Sequence, residues 1–383
     1  MARALYIHWP FCLKKCPYCD FNSHVRDRVD VDQWQEALLA DMRHEAGLAG
    51  GETLESIFFG GGTPSLMPPA VVGRLLAEAE KLWGFDPAIE ITLEGNPSSV
   101  EAGNYAELAA AGVNRVSLGL QSLDDAALKF LGRLHDAQEG LNALEVAQKS
   151  FERVSFDLIY ALPEQTPDQW HAQLTRALGF GTGHLSLYQL TIEPGTRFAT
   201  DVRQGGFTPL DDDAAADLLE ITRSLTEAAG LPAYEVSNHA RPGEESRHNL
   251  AYWRYRDYAG IGPGAHGRRG GMATQRHRKP ENWLAAIDRQ GHGIGEQRLL
   301  GAAEQASEAL IMGLRLAEGV DMKALSERVG LPQKLLLDWG LFRFYNGYDF
   351  VWLEGDRIGV SPSGMPLLDK LIRDLVPAEL VAG

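Results

Sequence analysis

The sequence is poor in cysteine. Only three of its 383 residues are cysteines, and all three, Cys12, Cys16 and Cys19, lie in one short stretch. An odd number of cysteines in one tight group disfavours structural disulfides and indicates a reducing compartment, which we take to be the cytoplasm. No further thiol is available to pair with them or to complete a metal site.

Long apolar runs and an excess of basic residues are also missing. No run approaches the roughly 20 apolar residues that span a bilayer. A strand-like segment begins near Ala4, so we expect no secretory signal. The chain has 36 Lys and Arg against 52 Asp and Glu, a formal net charge of −16, which disfavours a nucleic-acid backbone as the main partner. With 44% hydrophobic residues we expect a globular protein.

The cysteines have a spacing that suits an iron–sulfur cluster. They form the pattern Cys-x-x-x-Cys-x-x-Cys. Three thiolates can hold three irons of a [4Fe-4S] cluster, which leaves the fourth iron open to a small molecule. The alternatives are structural cysteines, or a zinc site completed by His8 or His24. Zinc motifs, however, usually show two separated Cys-x-x-Cys pairs, and this chain has no second pair.

Strand-like and helical runs alternate along most of the chain. Strands are expected at 4–8, 57–59, 89–94, 115–120, 154–160 and 184–190, and a further one at 233–237. Helical patterns at 32–46, 70–83, 101–111, 137–150 and 167–178 lie between the first six strands. This order predicts an α/β fold of parallel β/α units, and a full or partial barrel rather than a flat doubly wound sheet. We place a partial (β/α)6-type barrel in residues 1–300.

The pattern changes in residues 301–383. Helices are expected at 303–317, 321–329, 332–340 and 364–375, with two strand-like runs in 350–360. This predicts a small α+β, winged-helix-like domain. Because it has few clustered basic residues, we interpret it as a lid or docking module, with structural packing as the alternative.

Glycine and polar residues collect at the ends of the predicted strands, where barrel proteins carry function. Gly60-Gly61-Gly62-Thr63 follows the second strand and would let the backbone approach a zwitterionic ligand, although a tight turn is the alternative. Glu94, Gln121, Arg133 and Asp157 could bind the ammonium, hydroxyl and carboxylate groups of the same ligand. Taken singly, each could instead form a strand-end salt bridge.

The cysteine motif resembles that of the radical S-adenosylmethionine (SAM) superfamily. An aromatic residue, Tyr18, precedes the third cysteine as in that signature, and Leu5-Tyr6-Ile7-His8-Trp9-Pro10-Phe11-Cys12 is similar to one group within it. That group contains oxygen-independent coproporphyrinogen III oxidase and the HemW-type haem chaperones. Glu94-Gly95-Asn96-Pro97, Leu131-Gly132-Arg133 and Phe156-Asp157-Leu158-Ile159-Tyr160 resemble further blocks of the group.

The resemblance implies a radical SAM barrel, a [4Fe-4S] cluster on the three cysteines and bound SAM. It implies that a reduced cluster passes one electron to SAM, supplied by a donor such as flavodoxin or ferredoxin. It also implies a set of residues that contact SAM: Tyr6, Tyr18, Gly61, Gly62, Thr63, Glu94, Gln121, Arg133, Asp157 and Tyr188.

A later block resembles the haem-binding signature of the HemW type. Arg247-His248-Asn249-Leu250-Ala251-Tyr252-Trp253 contains the pattern His-Asn-x-x-Tyr-Trp. A neutral imidazole at His248 could ligate haem iron, and Tyr252 and Trp253 could offer flat apolar faces. A packed, hydrogen-bonded histidine is the alternative. Residues 262–267 formally match a dinucleotide fingerprint, which we reject because no strand–helix unit surrounds it.

Two departures favour the chaperone over the oxidase. The oxidase has a further cysteine where this chain has Phe21, and it has an N-terminal extension before the first strand. The expected function is therefore a haem chaperone that passes haem to an unidentified acceptor protein, and cluster or haem could promote a homodimer. The alternative is a radical SAM enzyme acting on a porphyrin. A tRNA-modifying radical SAM enzyme is disfavoured by the net charge.

Overall fold

The computed structural model describes residues 3–26, 28–49 and 52–381 of the chain. Its strands are β1 (Ala4–Trp9), β2 (Phe11–Cys12), β3 (His24–Val25), β4 (Leu54–Gly61), β5 (Phe85–Gly95), β6 (Arg115–Gln121), β7 (Arg153–Tyr160), β8 (His184–Gln189), β9 (Asn238–Ala240), β10 (Tyr258–Ile261), β11 (His266–Arg269), β12 (Met272–Arg276), β13 (Ile294–Leu299), β14 (Val320–Asp321), β15 (Val351–Glu354) and β16 (Arg357–Val360).

The helices are α1 (Val31–Ala49), α2 (Pro69–Trp83), α3 (Ser99–Ala102), α4 (Tyr105–Ala110), α5 (Asp125–Phe130), α6 (Ala137–Ser150), α7 (Pro167–Leu178), α8 (Arg197–Arg203), α9 (Asp212–Ala228), α10 (Arg247–Trp253), α11 (Pro280–Gln290), α12 (Ala302–Gly313), α13 (Met322–Val329), α14 (Gln333–Leu336), α15 (Trp339–Asn346), α16 (Leu368–Leu375) and α17 (Ala378–Val381). Short 3₁₀ helices lie at Pro64–Leu66 and Met365–Leu367.

The main sheet confirms the predicted parallel β/α architecture. Its 11 strands have the order β13-β12-β11-β10-β1-β4-β5-β6-β7-β8-β9, and the strands from β10 to β8 in this order run parallel. Because the order is linear, the barrel is partial rather than full. In β1, Leu5 and Ile7 are fully buried among the apolar residues of the core, whereas Tyr6 and His8 alternate with them and point to the polar interior of the barrel.

An antiparallel extension on the β10 side was not predicted. Strands β10, β11, β12 and β13 pair antiparallel in succession. Gly270 and Gly271, both with positive φ (+53° and +77°), make the two-residue turn between β11 and β12, and two consecutive positive φ values are what such hairpin turns require. The extension therefore continues the sheet beyond the barrel.

A buried ion cluster fixes this extension to α1. Asp41 and Glu45, one turn apart on α1, both pair with Arg276 of β12, at 3.3 and 2.6 Å. Asp41 also accepts hydrogen bonds from the Trp283 indole (3.3 Å) and from the backbone N–H of Gly262 and Gly293 (3.1 and 2.9 Å). Four groups from β10 onward, on β12, on α11 and in two loops, thus converge on one helical carboxylate.

Several predicted boundaries are wrong. The strand expected at 233–237 is a turn, and the real strand, β9, follows it and pairs antiparallel with β8. The helix expected at 332–340 divides into α14 and α15, because Asp338 caps the N-terminus of α15 by accepting from Gly340 and Leu341 N–H. The helix expected at 101–111 is two short helices, and the one expected at 303–317 ends at Gly313. Asp211 caps the N-terminus of α9 by accepting a hydrogen bond from Ala214 N–H.

The apolar residues form two main clusters. One lies under the barrel strands and the second lies among α12–α16 and the small sheet β14-β16-β15. The hairpin β15–β16 confirms the two strand-like runs predicted in 350–360. Among the helices of the described residues, none has the length and apolar character needed to cross a membrane.

Candidate cofactor site

The predicted cofactor residues meet in a pocket at the carboxyl ends of β4–β7. Its walls include the three cysteines and a set of residues predicted to bind SAM: Tyr18, Gly61, Gly62, Thr63, Glu94, Gln121, Arg133 and Asp157. All of them come from loops or strand ends that the parallel sheet brings to one edge. The loop after β1 carries the three thiols.

The glycine turn supports the cysteine loop through its backbone. Gly62 N–H donates to the carbonyl of Trp9 (2.7 Å), and Thr63 N–H donates to that of Phe11 (2.8 Å). A methyl group on Gly62 would lie 2.7 Å from the Phe11 carbonyl oxygen, and Gly61 has φ +116°. The glycines are therefore required by close backbone approach at this point, in addition to any contact with a ligand.

A chain of hydrogen bonds joins two of the three thiols. Thr63 Oγ1 donates to Cys12 Sγ (3.4 Å), and Asn96 Nδ2 donates to Thr63 Oγ1 (3.0 Å). From the other side, Arg133 Nη2 donates to Asn96 Oδ1 (2.5 Å) and its Nη1 to Cys16 Sγ (3.4 Å). Donors aimed at sulfur stabilise thiolates and influence the reduction potential of a cluster.

The thiols fit an iron–sulfur cluster better than a zinc ion. All three are free and partly accessible. Within the described residues, no three His, Cys, Asp or Glu side chains meet closely enough to hold a single metal ion, so His8 and His24 complete no zinc site there. His8 is instead occupied by hydrogen-bond contacts with Tyr6 and the Asn22 carbonyl. A four-iron cluster is wider than one ion, and the three thiols line one common pocket.

Two carboxylates lie close together in the pocket. Burial, together with the charge of Asp157, raises the pKa of Glu94 to about 8. Burial also raises the pKa of Asp157 to about 6, against the opposing effect of hydrogen bonds from Ser186 and Ser117. Glu94 Oε2 accepts from Gly61 N–H at 3.2 Å. This pair is suited to a ligand that brings positive charge and hydroxyl donors.

Gln121 has a backbone conformation that its sequence did not reveal. Its φ is +67°, and the register of β6 against β7 shifts between Leu118 and Gln121. A non-glycine residue in the left-handed region is uncommon and collects at functional sites. The irregularity turns the end of β6 toward the pocket, whose wall includes Gln121.

Tyr6 and Tyr188 are the two predicted SAM residues that do not line this pocket. Tyr188 keeps 40% of its surface exposed. The hydroxyl of Tyr6 lies 3.0 Å from His8 Nδ1, and its ring stacks on that of Phe58 at 6.3 Å. Burial, to which the charge of Glu94 adds, raises the pKa of Tyr6.

The predicted haem residues are not all together. His248 and Tyr252, four residues apart on α10, share one face, and their ring centroids are 4.8 Å apart. His248 also stacks on Phe58 at 4.9 Å and on Tyr6 at 6.2 Å, inside the barrel. Trp253 is the next residue on the helix and points elsewhere, toward the Arg315 guanidinium, 5.6 Å from its ring. The structure therefore separates Trp253 from His248.

His248 is enclosed but has an unused nitrogen. Burial lowers its pKa to about 3, so the ring is neutral near pH 7. Its Nδ1 lies 3.3 Å from Ser56 Oγ, and within the described residues its Nε2 has no hydrogen-bond partner. A neutral imidazole with a free nitrogen suits a metal ligand, and this is the feature of the site that fits haem.

Asn96 and Ser117 are pocket residues that sequence reasoning did not select. Asn96 joins Thr63 to Arg133, and Ser117 Oγ donates to Asp157 at 3.2 Å. Asn96 directly follows a strand end, and Ser117 alternates with the buried Val116 and Leu118 on β6. Strand alternation could have identified Ser117 as facing the interior.

Comparison with known families and proteins agrees with this geometry. The family model of the Radical SAM superfamily matches residues 6–174, and that of the HemN C-terminal domain matches residues 300–367. The chain is 40% identical to radical S-adenosyl methionine domain-containing protein 1, mitochondrial, of Mus musculus, over 98% of this chain and 87% of that protein. It is 38% identical to the heme chaperone HemW of Escherichia coli, over 87% of this chain and 88% of that protein.

The fold has a counterpart among solved structures. Coproporphyrinogen III oxidase (HemN) from Escherichia coli superimposes with a TM-score of 0.82, covering 97% of this chain and 89% of that one, at 24% identity. At this identity the likeness concerns the fold alone. The superfamily implies a [4Fe-4S] cluster and SAM. By its sequence similarity over nearly its full length, the chain belongs to the radical SAM superfamily and, within it, to the family of the HemW haem chaperones.

Proposed function

We propose that this protein is a haem chaperone of the radical SAM type, which holds a [4Fe-4S] cluster and SAM at the strand ends and carries one haem to an acceptor protein. The observation that carries the proposal is the nearly full-length similarity to bacterial proteins named heme chaperone HemW. The geometry supports it with a thiol loop, a ligand pocket beside it, and a neutral buried histidine inside the barrel.

In this proposal Cys12, Cys16 and Cys19 ligate the cluster, and the pocket residues position SAM. A bound, reduced cluster supplies an electron for cleavage of SAM at its sulfonium. The chain contributes orientation and charge: Glu94 and Asp157 receive the ammonium and hydroxyl groups, and the donors of Thr63 and Arg133 hold the sulfurs.

The raised pKa of Glu94 predicts a pH-dependent affinity for SAM. Below about pH 8 the carboxyl of the free protein is mostly protonated, so a cationic ligand must displace that proton, and affinity should rise with pH toward 8. Glu94→Gln keeps an acceptor for Gly61 N–H but cannot ionise. A hydrogen bond to a charged group contributes about 1.5–3 kcal/mol, so we expect binding weaker by about 10- to 100-fold.

Titration calorimetry of anaerobic, reconstituted protein at several pH values between about 7 and 8.5 would test this. Glu107→Gln, the same change at an exposed position of α4, should bind SAM like the wild type. If Glu94→Gln retained both the affinity and the pH profile of the wild type, Glu94 would have no role in SAM binding.

His248→Ala should weaken haem binding by about tenfold or more while leaving the cluster intact, because it removes the neutral imidazole whose Nε2 is free. The measurement is a haem titration followed by absorption, with iron and sulfide counted on the same sample. Added imidazole should fill the space left by the side chain and restore the spectrum.

The exposed His171 offers a matched control, since His171→Ala should leave the titration unchanged. If His248→Ala gave the same haem titration as the wild type, His248 would not be the ligand of the haem iron.

Incubation of the reduced protein with SAM and coproporphyrinogen III addresses the alternative, a radical SAM enzyme acting on a porphyrin. Formation of protoporphyrinogen would contradict a purely chaperone role.

The proposal extends to partners, compartment and domains. We propose an electron donor such as flavodoxin or ferredoxin, a haem-acceptor protein, a homodimer promoted by cluster or haem, and a location in the cytoplasm. Residues 1–300 would form the cofactor-binding domain and residues 301–383 the second domain, which packs around Tyr255 just after α10.

A further inference from the structure

A groove beside the cysteine loop combines aromatic and cationic side chains. It has a volume of about 780 Å³ and is lined by three phenylalanines, by residues of the cysteine loop, and by several cations. We call it the Phe–Lys groove and define it by Phe130, Phe198, Phe207, Lys14, Lys15 and Lys129. Its volume is in the range of about 300–1,000 Å³ that small-molecule sites occupy.

The phenylalanines form an aromatic wall. The rings of Phe130 and Phe198 stack with centroids 4.7 Å apart, and Phe207 stands edge-on to both, at 5.2 and 5.1 Å. Phe198 is buried and serves as the floor, whereas Phe130 and Phe207 are half-buried. A second groove of about 880 Å³ shares Phe130 and Phe207, so the apolar surface continues past the aromatic wall.

The cations at the rim are available to a ligand. Lys14, Lys15 and Lys129 are exposed, and none of them forms an ion pair within the part of the chain that the structure describes. The one other cation that lines the groove, Arg197, is paired with Asp201 at 3.4 Å. A group of unpaired lysines around an apolar wall is notable in a chain whose net charge is −16.

These features specify the ligand by its chemistry. A flat apolar molecule would lie against the phenylalanine rings, and carboxylates at its edge would reach the lysines. A tetrapyrrole has both a flat apolar face and edge carboxylates, because its macrocycle is planar and its propionate groups project from one edge. We propose that the Phe–Lys groove is a surface site for a tetrapyrrole, which it recognises by the face and the carboxylates rather than through the iron.

This inference rests on the proposed function and adds a surface site at which the haem would be taken up and released. His248 is packed between Phe58 and Tyr252 inside the barrel, whereas a carrier must take up and release its cargo at the surface. The groove lies beside Cys16 and Cys19 and is open to solvent. An acidic electron-carrier protein could also be attracted by the lysines, but its broad surface would not reach the recessed phenylalanines.

The test uses an iron-free porphyrin, so that no axial ligand contributes. Protoporphyrin IX and its dimethyl ester are titrated, by fluorescence, into the full-length wild type, into Lys15→Glu/Lys129→Glu and into Lys323→Glu/Lys334→Glu. The last variant makes the same change in net charge at exposed lysines of the second domain. We expect the groove variant to bind protoporphyrin about tenfold more weakly, and the control variant to bind it like the wild type.

The dimethyl ester separates the two contributions. Because it has no carboxylates, the groove variant should bind it as the wild type does, whereas Phe207→Ala should weaken both ligands. If the groove variant and the wild type bound protoporphyrin with equal affinity, the proposed tetrapyrrole site in the groove would be overturned, even if the wild type still bound haem. If the groove variant kept its protoporphyrin affinity and lost only the reduction of its cluster by an electron-donor protein, the lysines would be assigned to a protein partner instead. A wild type that binds neither porphyrin nor haem would overturn the proposed function as well.

Discussion

Gly62→Ala is expected to yield protein that retains less than half of the wild-type iron and sulfide, although it changes no thiol. The added methyl group would lie 2.7 Å from the carbonyl oxygen and 2.9 Å from the carbonyl carbon of Phe11, and 2.8 Å from the carbonyl carbon of Pro10. These are backbone atoms, so no side-chain rotation can relieve the contact. The residue that must move directly precedes Cys12.

Two hydrogen bonds make this displacement more damaging. Gly62 N–H donates to Trp9 and Thr63 N–H donates to Phe11, so the turn and the cysteine loop can separate only if both bonds lengthen. The side chain of Thr63 would move with them, and with it the donor to Cys12 Sγ. We therefore expect the thiol at position 12 to leave the position from which it holds an iron.

The experiment counts iron and sulfide after anaerobic reconstitution and desalting, with circular dichroism to show that the chain is folded. Gly73→Ala is the matched control. Its methyl group would meet only Ala111, at 3.6 and 4.0 Å, in the middle of α2, where alanine is favoured over glycine by about 0.5–1 kcal/mol. A Gly62→Ala protein with a full cluster would show that the loop adapts and that the glycine is dispensable.

Asp41→Ala is expected to reduce the free energy of unfolding by about 3–5 kcal/mol, which is the usual cost of removing one partner of a buried ion pair. Asp41 and Arg276 are both fully buried. Among the described residues, the substitution would leave Arg276 with Glu45 as its ion-pair partner, and it would remove the acceptor of the N–H groups of Gly262, Gly293 and Trp283. Each buried donor left without a partner adds to the loss.

Chemical denaturation followed by fluorescence measures this loss. Asp217→Ala, on the exposed face of α9, should change stability by less than about 0.5 kcal/mol. Glu45→Gln keeps the shape of the side chain but removes one charge, and it should give an intermediate value. If Asp41→Ala reduced the free energy of unfolding by less than about 1 kcal/mol, the buried ion cluster would not be what fixes the antiparallel extension to α1.

The sequence was sufficient to predict the barrel because its strands are apolar on one face and alternate regularly with helices. Leu5, Ile7 and Phe59 show this pattern, and each is fully buried in the structure. The cofactor pocket was predictable for the same reason: once parallel strands are assigned, their carboxyl ends must meet at one edge. Glu94 and Asp157 were placed together by that rule and by the resemblance.

What could not be predicted depends on long-range contacts. Strand β12 contains arginine and glutamine, and the burial of its Arg276 follows from pairing with Asp41 of α1, which no local pattern shows. The Gly270-Gly271 turn was a usable hairpin signal that was not applied. Trp253 was grouped with His248 by its place in a motif, but adjacent helical positions point in different directions, so spacing alone could have separated them.

The pairing of β1 with β10 sets an order of events during synthesis. Tyr6, near the start of the chain, lies beside Gly260, and the carbonyl of His8 is close to Gly262. Until the ribosome has made that distant segment, β1 has β4 as a neighbour on one side only, and its other edge is unsatisfied. Contacts between such remote parts of a chain form late and slowly. The thiol loop at the end of β1 therefore lies on an incomplete sheet through most of translation, and we expect a cluster to be inserted only after β10 has paired with β1.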